Sequence, residues 1–257
     1  MLAQVESGVG WITFNQPKKR NAISLDMWQA IPQIVAAFTA DDLVRVVVMK
    51  GAGDKAFVSG ADISEFEEKR STKDQIEFYD GAMSAANSAL RSMAKPLIAA
   101  IRGFCVGGGL GIAVTADLRL SADDGQFGIP AARLGLGYAF LGIKALMNVV
   151  GPAFAKEILF TGRRFDAQEA KEMGLVNRVV PAAELESTTR QLAESVAANA
   201  PLTLLSAKAA VDEGTRDPQD RDLEKIERMV AACFASEDYV EGRRAFMEKR
   251  APKFKGR

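Results

Sequence analysis

Histidine is absent from all 257 residues. Without imidazole there is no Ser-His or Cys-His nucleophile pair, no His-ligated zinc and no imidazole acid or base. Cysteine is scarce. Cys105 and Cys233 are the whole complement, which argues against a disulfide framework and suits a reducing compartment. With no histidine to deprotonate it, Cys105 reads as a small buried core thiol. Net charge is missing too. Lys+Arg and Asp+Glu both number 33, so there is no overall electrostatic footprint for nucleic acid or an anionic membrane, and any anion must be bound locally. The acidic residues are scattered, which argues against a carboxylate metal cage; no metal is expected. Residues 1–6 have neither a basic nor a long apolar region, so no signal peptide is expected. The most apolar stretch, 96–116, is broken by Arg102 and by glycines, and reads as a buried strand, loop and helix rather than a membrane span. A cytoplasmic protein is expected.

What is present suits one α/β domain, because 48% hydrophobic residues in a chain of this length can bury a sizeable core. Residues 4–15 read as a β-hairpin turning at Ser7-Gly8, with Trp11 in an alternating pattern. Ser24 reads as the N-cap of a helix on which Met27, Ile31, Ile34, Val35 and Phe38 keep helical period, despite Pro32. Trp11 and Trp28 both fit core positions. Strands are expected over 44–49, 96–101 and 118–122, a long helix over 75–93, and a short helix over 109–115. Alternation of strands and helices implies α/β layers. A polar stretch over 65–74 reads as a mobile surface segment. Beyond Gly142 helical patterns dominate to Lys249, apart from a strand over 176–180, and Gly151-Pro152 and Ala200-Pro201 mark helix boundaries.

Two glycine-anchored segments carry the functional signal. Ser59-Gly60-Ala61-Asp62 and Gly107-Gly108-Gly109 each follow an apolar run, about one α/β unit apart. Each can offer bare backbone N–H groups to one site, which is the requirement for an oxyanion hole; losing one such donor typically costs about 3 to 4 kcal/mol of transition-state stabilisation. Small residues are needed there, since a larger side chain would hold a carbonyl off the backbone. A helix opening at Gly109 would also aim its positive end at whatever sits above Gly108. The dinucleotide-binding alternative fits poorly: the glycine spacing is wrong, and no acidic ribose ligand follows about twenty residues later.

Several motifs together resemble the enoyl-CoA hydratase/isomerase (crotonase) family. They are Asn15-Gln16-Pro17 with Arg20-Asn21-Ala22, the run Lys55 to Asp62, the run Gly103 to Gly109, Ala170 with Gly174-Leu175-Val176-Asn177, and the closing Ser236-Glu237-Asp238, Glu241-Gly242 and Ala245 to Arg250. The resemblance implies a ClpP/crotonase-like ββα spiral core over 1–195 and a helical trimerisation region over 196–257. It implies that the Ala61 and Gly108 N–H groups hold a thioester carbonyl, and that Lys55, Ala56 and the backbone to Ala61 line the adenine and pantetheine path. Phe246 and Lys249 would reach the coenzyme A of a neighbouring subunit in a homotrimer or homohexamer. Coenzyme A would be part of the substrate, with no separate cofactor. The basic tail Lys249, Arg250, Lys253, Lys255 and Arg257 would supply local positive charge for phosphates.

The same resemblance exposes a departure. Family hydratases use two glutamates to handle water, and those positions fall here on Gly111 and Ala131; the positions where related isomerases carry their carboxylate fall on Ala131 and Ala139. Syn addition of water to a conjugated thioester needs a base for the water and an acid for the α-carbon, and glycine and alanine provide neither. Decarboxylation of a malonyl-type thioester needs no base, because loss of CO2 makes the enolate directly. Leu134-Gly135-Leu136-Gly137-Tyr138 with Leu141-Gly142-Ile143 is similar to the methylmalonyl-CoA decarboxylase branch, which implies that Tyr138 contacts substrate near the departing carboxylate. That branch has histidine where this chain has Ala61. Isomerase or atypical hydratase activity and a catalytically silent acyl-CoA-binding subunit are the alternatives. Asp62, Glu65 and Glu68 read as a solvated acidic face, and Asp117 with Arg119 as a structural pair or cap.

Overall fold

The computed structural model describes residues 1–69 and 71–257. Leu2–Glu6 (β1) and Val9–Phe14 (β2) form the hairpin, with Ser7 and Gly8 at φ of 51° and 79° in its two-residue turn. A turn with both central residues left-handed matches the twist of the strands it joins. Leu25–Ala40 (α1) begins at Ser24, whose hydroxyl accepts the Met27 N–H at 3.3 Å, and runs through Pro32. Then come Val46–Gly51 (β3), Ala56–Val58 (β4), Phe66–Lys69 (α2), Lys73–Arg91 (α3), Leu97–Ile101 (β5), Phe104–Val106 (β6), Gly108–Ala113 (α4), Leu118–Ala122 (β7) and Gln126–Gly128 (β8). The last part holds Phe140–Thr161 (α5), Phe165–Asp166 (β9), Ala167–Glu172 (α6), Arg178–Val180 (β10), Leu185–Ala197 (α7), Pro201–Gly214 (α8), Leu223–Ala235 (α9) and Glu237–Met247 (α10).

The stretch expected to be a mobile segment is largely helical: α2 occupies part of it, and a capping box between Thr72 and Gln75 starts α3. Arg70, within that stretch, lies outside the described residues. Gly151, at φ 74°, breaks α5 into two helical arms just before Pro152, where the sequence places a boundary.

Two sheets result. The larger has the order β1-β2-β3-β5-β7-β10, parallel throughout except for the β1–β2 hairpin. Alternate residues of its central strands enter two separate cores. Val47, Met49, Leu97, Ala99 and Ile101 meet the main core with α1, α3 and α4, whereas Val46, Val48, Ile98 and Ala100 pack under Leu185 and Ala193 of α7. Coverage of both faces explains the unbroken apolar runs of these strands. The smaller sheet, β4-β6-β8-β9, consists of strands of two or three residues that the sequence pattern leaves within loops. It sets the candidate site, because β4 and β6 are parallel neighbours and their chains leave the sheet at the same end.

Candidate functional site

The two glycine segments are the continuations of β4 and β6. Gly60 has φ of 122° and Gly107 has φ of 55°, conformations that a side chain disfavours. The turns bring the backbones together: a Cβ built on Gly107 would lie 3.9 Å from the Gly60 Cα, and one on Gly108 would lie 4.0 Å from the Ala61 nitrogen. Behind them, Gly109 presses so closely on β4 that a Cβ there would stand 2.0 Å from the Val58 carbonyl oxygen.

Both expected donors are available. Ile23 donates its N–H to the Gly60 carbonyl at 2.8 Å and accepts the Asp62 N–H at 2.9 Å, forming a single parallel bridge opposite Ala61. In such a bridge the flanking groups face the partner, so the Ala61 N–H points away from Ile23, and its nitrogen lies 4.0 Å from a Cβ built on Gly108. Gly108 is the first residue of α4, and the earliest N–H used inside that helix is that of Gly111, donated to the Gly107 carbonyl at 3.0 Å. The Gly108 N–H is therefore an unused first-turn donor.

Asp62 locks the first loop. Its carboxylate accepts from Lys19 Nζ at 2.7 Å, Gln16 Nε2 at 3.1 Å, the Ser64 hydroxyl at 2.6 Å and the Ser64 N–H at 3.2 Å. Burial would push this carboxyl up, but the hydrogen bonds from Lys19, Ser64 and Gln16 outweigh it and hold the group below its ordinary range. The solvated acidic face expected from the sequence is thus corrected for Asp62, which is a buried anchor. Glu65 accepts the Leu25 N–H at 3.0 Å and pairs with Lys69 at 2.8 Å, leaving Glu68 exposed. Fully buried Asn21 fastens the entry to β4, donating to the Ala52 and Ala56 carbonyls at 2.9 and 2.7 Å.

Beside the hole, the space over Gly111 is faced by Tyr138. Tyr138 is half-buried, its ring against Gly142, where an added Cβ would lie 3.2 Å from Cε1. Its hydroxyl lies 3.7 Å from a Cβ built on Gly111, and among the described residues, α4's own backbone and the adjacent residues apart, no other atom comes within 4 Å of that point. Burial pushes the phenol pKa up, so the hydroxyl keeps its proton. Ala131 is buried in the short helical turn Pro130–Leu134, and Ala139 is the exposed N-cap of α5.

The remaining expected residues are dispersed. Ala56 opens β4, and the exposed Lys55 side chain lies 3.6 Å from Asp54. Phe246 is 83% exposed on α10, and exposed Lys249 follows that helix. The basic tail is partly neutralised within the chain: Arg250 contacts Glu241 at 2.7 Å, and Lys255 and Arg257 lie near Glu237 at 3.8 and 3.5 Å. Asp117 and Arg119 do not hydrogen-bond each other. Asp117 takes Leu97 N–H and Lys208, both within 2.8 Å, and Arg119 donates to the Leu175 carbonyl at 2.7 Å. Cys105 is fully buried, with burial pushing its thiol pKa far up, which leaves no thiolate for nucleophilic attack. Among the described residues no three His, Cys, Asp or Glu side chains gather as a metal site, and no helix is long and apolar enough to cross a membrane.

A twin-loop backbone cradle between two parallel strands, in a sheet set against a larger one, matches known proteins along nearly the whole chain. The enoyl-CoA hydratase/isomerase family model matches residues 4–257. The short-chain-enoyl-CoA hydratase of Clostridium acetobutylicum is 34% identical over 97% of this chain and 95% of its own length. The crotonyl-CoA hydratase of Syntrophomonas wolfei is 36% identical over 99% of this chain and 97% of its own. Among solved structures, an enoyl-CoA hydratase/carnitine racemase from Magnetospirillum magneticum superposes with a TM-score of 0.93 at 38% identity, covering 99% of this chain and 95% of that one. The chain belongs to the enoyl-CoA hydratase/isomerase family and has the crotonase fold.

Proposed function

We propose that this protein is an acyl-CoA enzyme in which the Ala61 and Gly108 N–H groups hold a thioester oxygen as it becomes an enolate, and that the enolate arises by decarboxylation of a malonyl-type thioester. The observation that carries this reading is the space next to the hole: the nearest polar side-chain group to a Cβ built at Gly111 is the neutral Tyr138 hydroxyl at 3.7 Å, and no carboxylate among the described residues comes within 4 Å of that point. In the step itself the bond from the α-carbon to the carboxylate breaks, CO2 departs, and its electron pair becomes the enolate, whose oxygen the two N–H groups stabilise. A proton from the Tyr138 hydroxyl then reaches the α-carbon, and solvent returns the proton to the phenolate. Net, one proton is consumed and one CO2 released. A carboxylate at Gly111 or Ala131 would repel the substrate's own.

Hydration is the second reading, favoured by the hydratase names of relatives 34% and 36% identical. In that case an ordered water rather than a glutamate pair must relay the protons. For assembly, the groove of about 1030 Å³ between α8, α9 and α10 supports a homotrimer or homohexamer, since apolar Phe234, Phe246 and Met247 border it. Phe246 and Lys249 would then meet the coenzyme A of the adjacent subunit.

The test is parallel incubation with malonyl-, methylmalonyl- and crotonyl-CoA, following CO2 release and loss of the conjugated thioester absorbance. CO2 release from a malonyl-type thioester, without hydration, is expected. Rapid hydration of crotonyl-CoA would overturn the decarboxylase reading, and binding without turnover would make the chain an acyl-CoA-binding subunit.

A further inference from the structure

Beneath the two hole donors lies a buried polar link that no catalytic role above uses. Trp28 of α1 and Tyr79 of α3 are each 1% exposed, and Ile23 is fully buried. The benzo edge of Trp28 forms the floor under Gly108: a Cβ built there would lie 3.4 Å from Cζ2 and 3.8 Å from Cη2. Trp28 Nε1 donates to the Tyr79 hydroxyl at 3.3 Å, which in turn donates to the Ile23 carbonyl at 3.5 Å. That carbonyl is the one accepting the Asp62 N–H at 2.9 Å, so it belongs to the bridge that aims the Ala61 N–H. One end of the link therefore supports Gly108 by packing, and the other is tied to Ala61 through the backbone.

The chemistry makes this arrangement consequential. An oxyanion hole works only if its two donors keep the separation that one oxygen requires, and they belong to two different loops. A buried aromatic pair joined in this way resists displacement, because moving either ring would part the buried indole N–H from the hydroxyl that accepts it in an apolar core. From this geometry we infer that Trp28 and Tyr79 are positioning residues that set the spacing between the Ala61 and Gly108 donors. They touch no substrate and act through the loops they hold. This inference rests on the hole proposed above, and extends it to two buried residues of α1 and α3.

The test uses two substitutions that keep an aromatic ring, Tyr79→Phe and Trp28→Phe, and the double variant, in the full-length protein. The first readout is the carbonyl resonance of acetyl-CoA carrying carbon-13 at the thioester carbon, which moves downfield on binding as the donors polarise the C=O bond. This readout needs no turnover, so it is independent of which reaction the enzyme performs. The second is kcat and KM with methylmalonyl-CoA. Each single variant is expected to reduce the downfield displacement and to lower kcat about tenfold with KM within about twofold, short of the hundredfold that a 1 Å misplacement brings. The double variant is expected to be no worse than either single one, since both break the same link. Folded variants with a full wild-type displacement and unchanged kcat would overturn the inference while leaving the hole intact. If the wild-type protein itself binds acetyl-CoA without moving the carbonyl resonance, the hole and the link fall together.

Discussion

Alanine at Gly108 separates the chemistry of the hole from the stability of the fold. Gly108 is not among the glycines at positive φ; it opens α4 with backbone that any residue adopts. The added methyl would lie 3.4 Å from Trp28 and 4.0 Å from the Ala61 nitrogen, which is ordinary contact rather than overlap. Because glycine also costs more chain entropy than alanine, the variant should be unchanged in stability or gain up to about 1 kcal/mol. Its melting temperature should stay within about 4 °C of wild type. The same methyl, however, sits between Trp28 and the Ala61 nitrogen and is expected to crowd the space from which one oxygen reaches both donors. Loss of one donor is worth about 3 to 4 kcal/mol, so kcat/KM for methylmalonyl-CoA decarboxylation should fall about 100- to 1000-fold. The adjacent Gly109→Ala is the control with the opposite signature. There the methyl would stand 2.0 Å from the Val58 carbonyl oxygen, so α4 must shift off β4 and stability should drop by about 3 kcal/mol. Calorimetry and steady-state kinetics on both variants decide the matter. A stable Gly108→Ala protein with full activity would refute the placement of the reacting oxygen between Ala61 and Gly108.

Tyr138→Phe should bind acyl-CoA normally and lose about a hundredfold in kcat if the hydroxyl is the proton donor. Since burial raises this phenol's pKa, the donor form persists through neutral pH, and wild-type turnover should decline on the alkaline side only above about pH 10, a limb the Phe variant lacks. Phe246→Ser removes the most exposed aromatic ring bordering the apolar groove; burial of such a ring is worth about 1.5 to 3 kcal/mol, so sedimentation should show at least about a tenfold weaker assembly. An unchanged sedimentation coefficient would remove this face from the interface.

The parts legible in the sequence are those governed by local rules. The Ser7-Gly8 turn, the Ser24 cap, β7 and the break at Gly151 follow from turn chemistry, capping and period, and the two glycine loops stand out because few other residues adopt their backbone. The smaller sheet is not legible. Strands as short as Ala56–Val58 and Gln126–Gly128 show no two-residue period, and only pairing with chain-distant neighbours defines them. Asp62 looks like one more surface acid because its partners Gln16 and Lys19 are more than forty positions away. The motif Asn15-Gln16-Pro17 was the available signal for that anchor, since it supplies one of the ligands. The approach of the Tyr138 hydroxyl to Gly111 is hidden for the same reason: the two come from separate segments, and Gly142 leaves room for the ring. Trp28 carries the pattern of a core residue and is one, and nothing local marks its place beneath Gly108.

The most direct measurement is a crystal structure with a malonyl-type acyl-CoA analogue that cannot lose CO2. The expected result places the thioester oxygen about 2.7 to 3.1 Å from both the Ala61 and Gly108 nitrogens. The analogue's carboxylate should lie toward the Tyr138 hydroxyl, with no protein carboxylate facing the α-carbon. A thioester oxygen bound away from either nitrogen, or a glutamate or aspartate side chain swung in against the α-carbon, would contradict it.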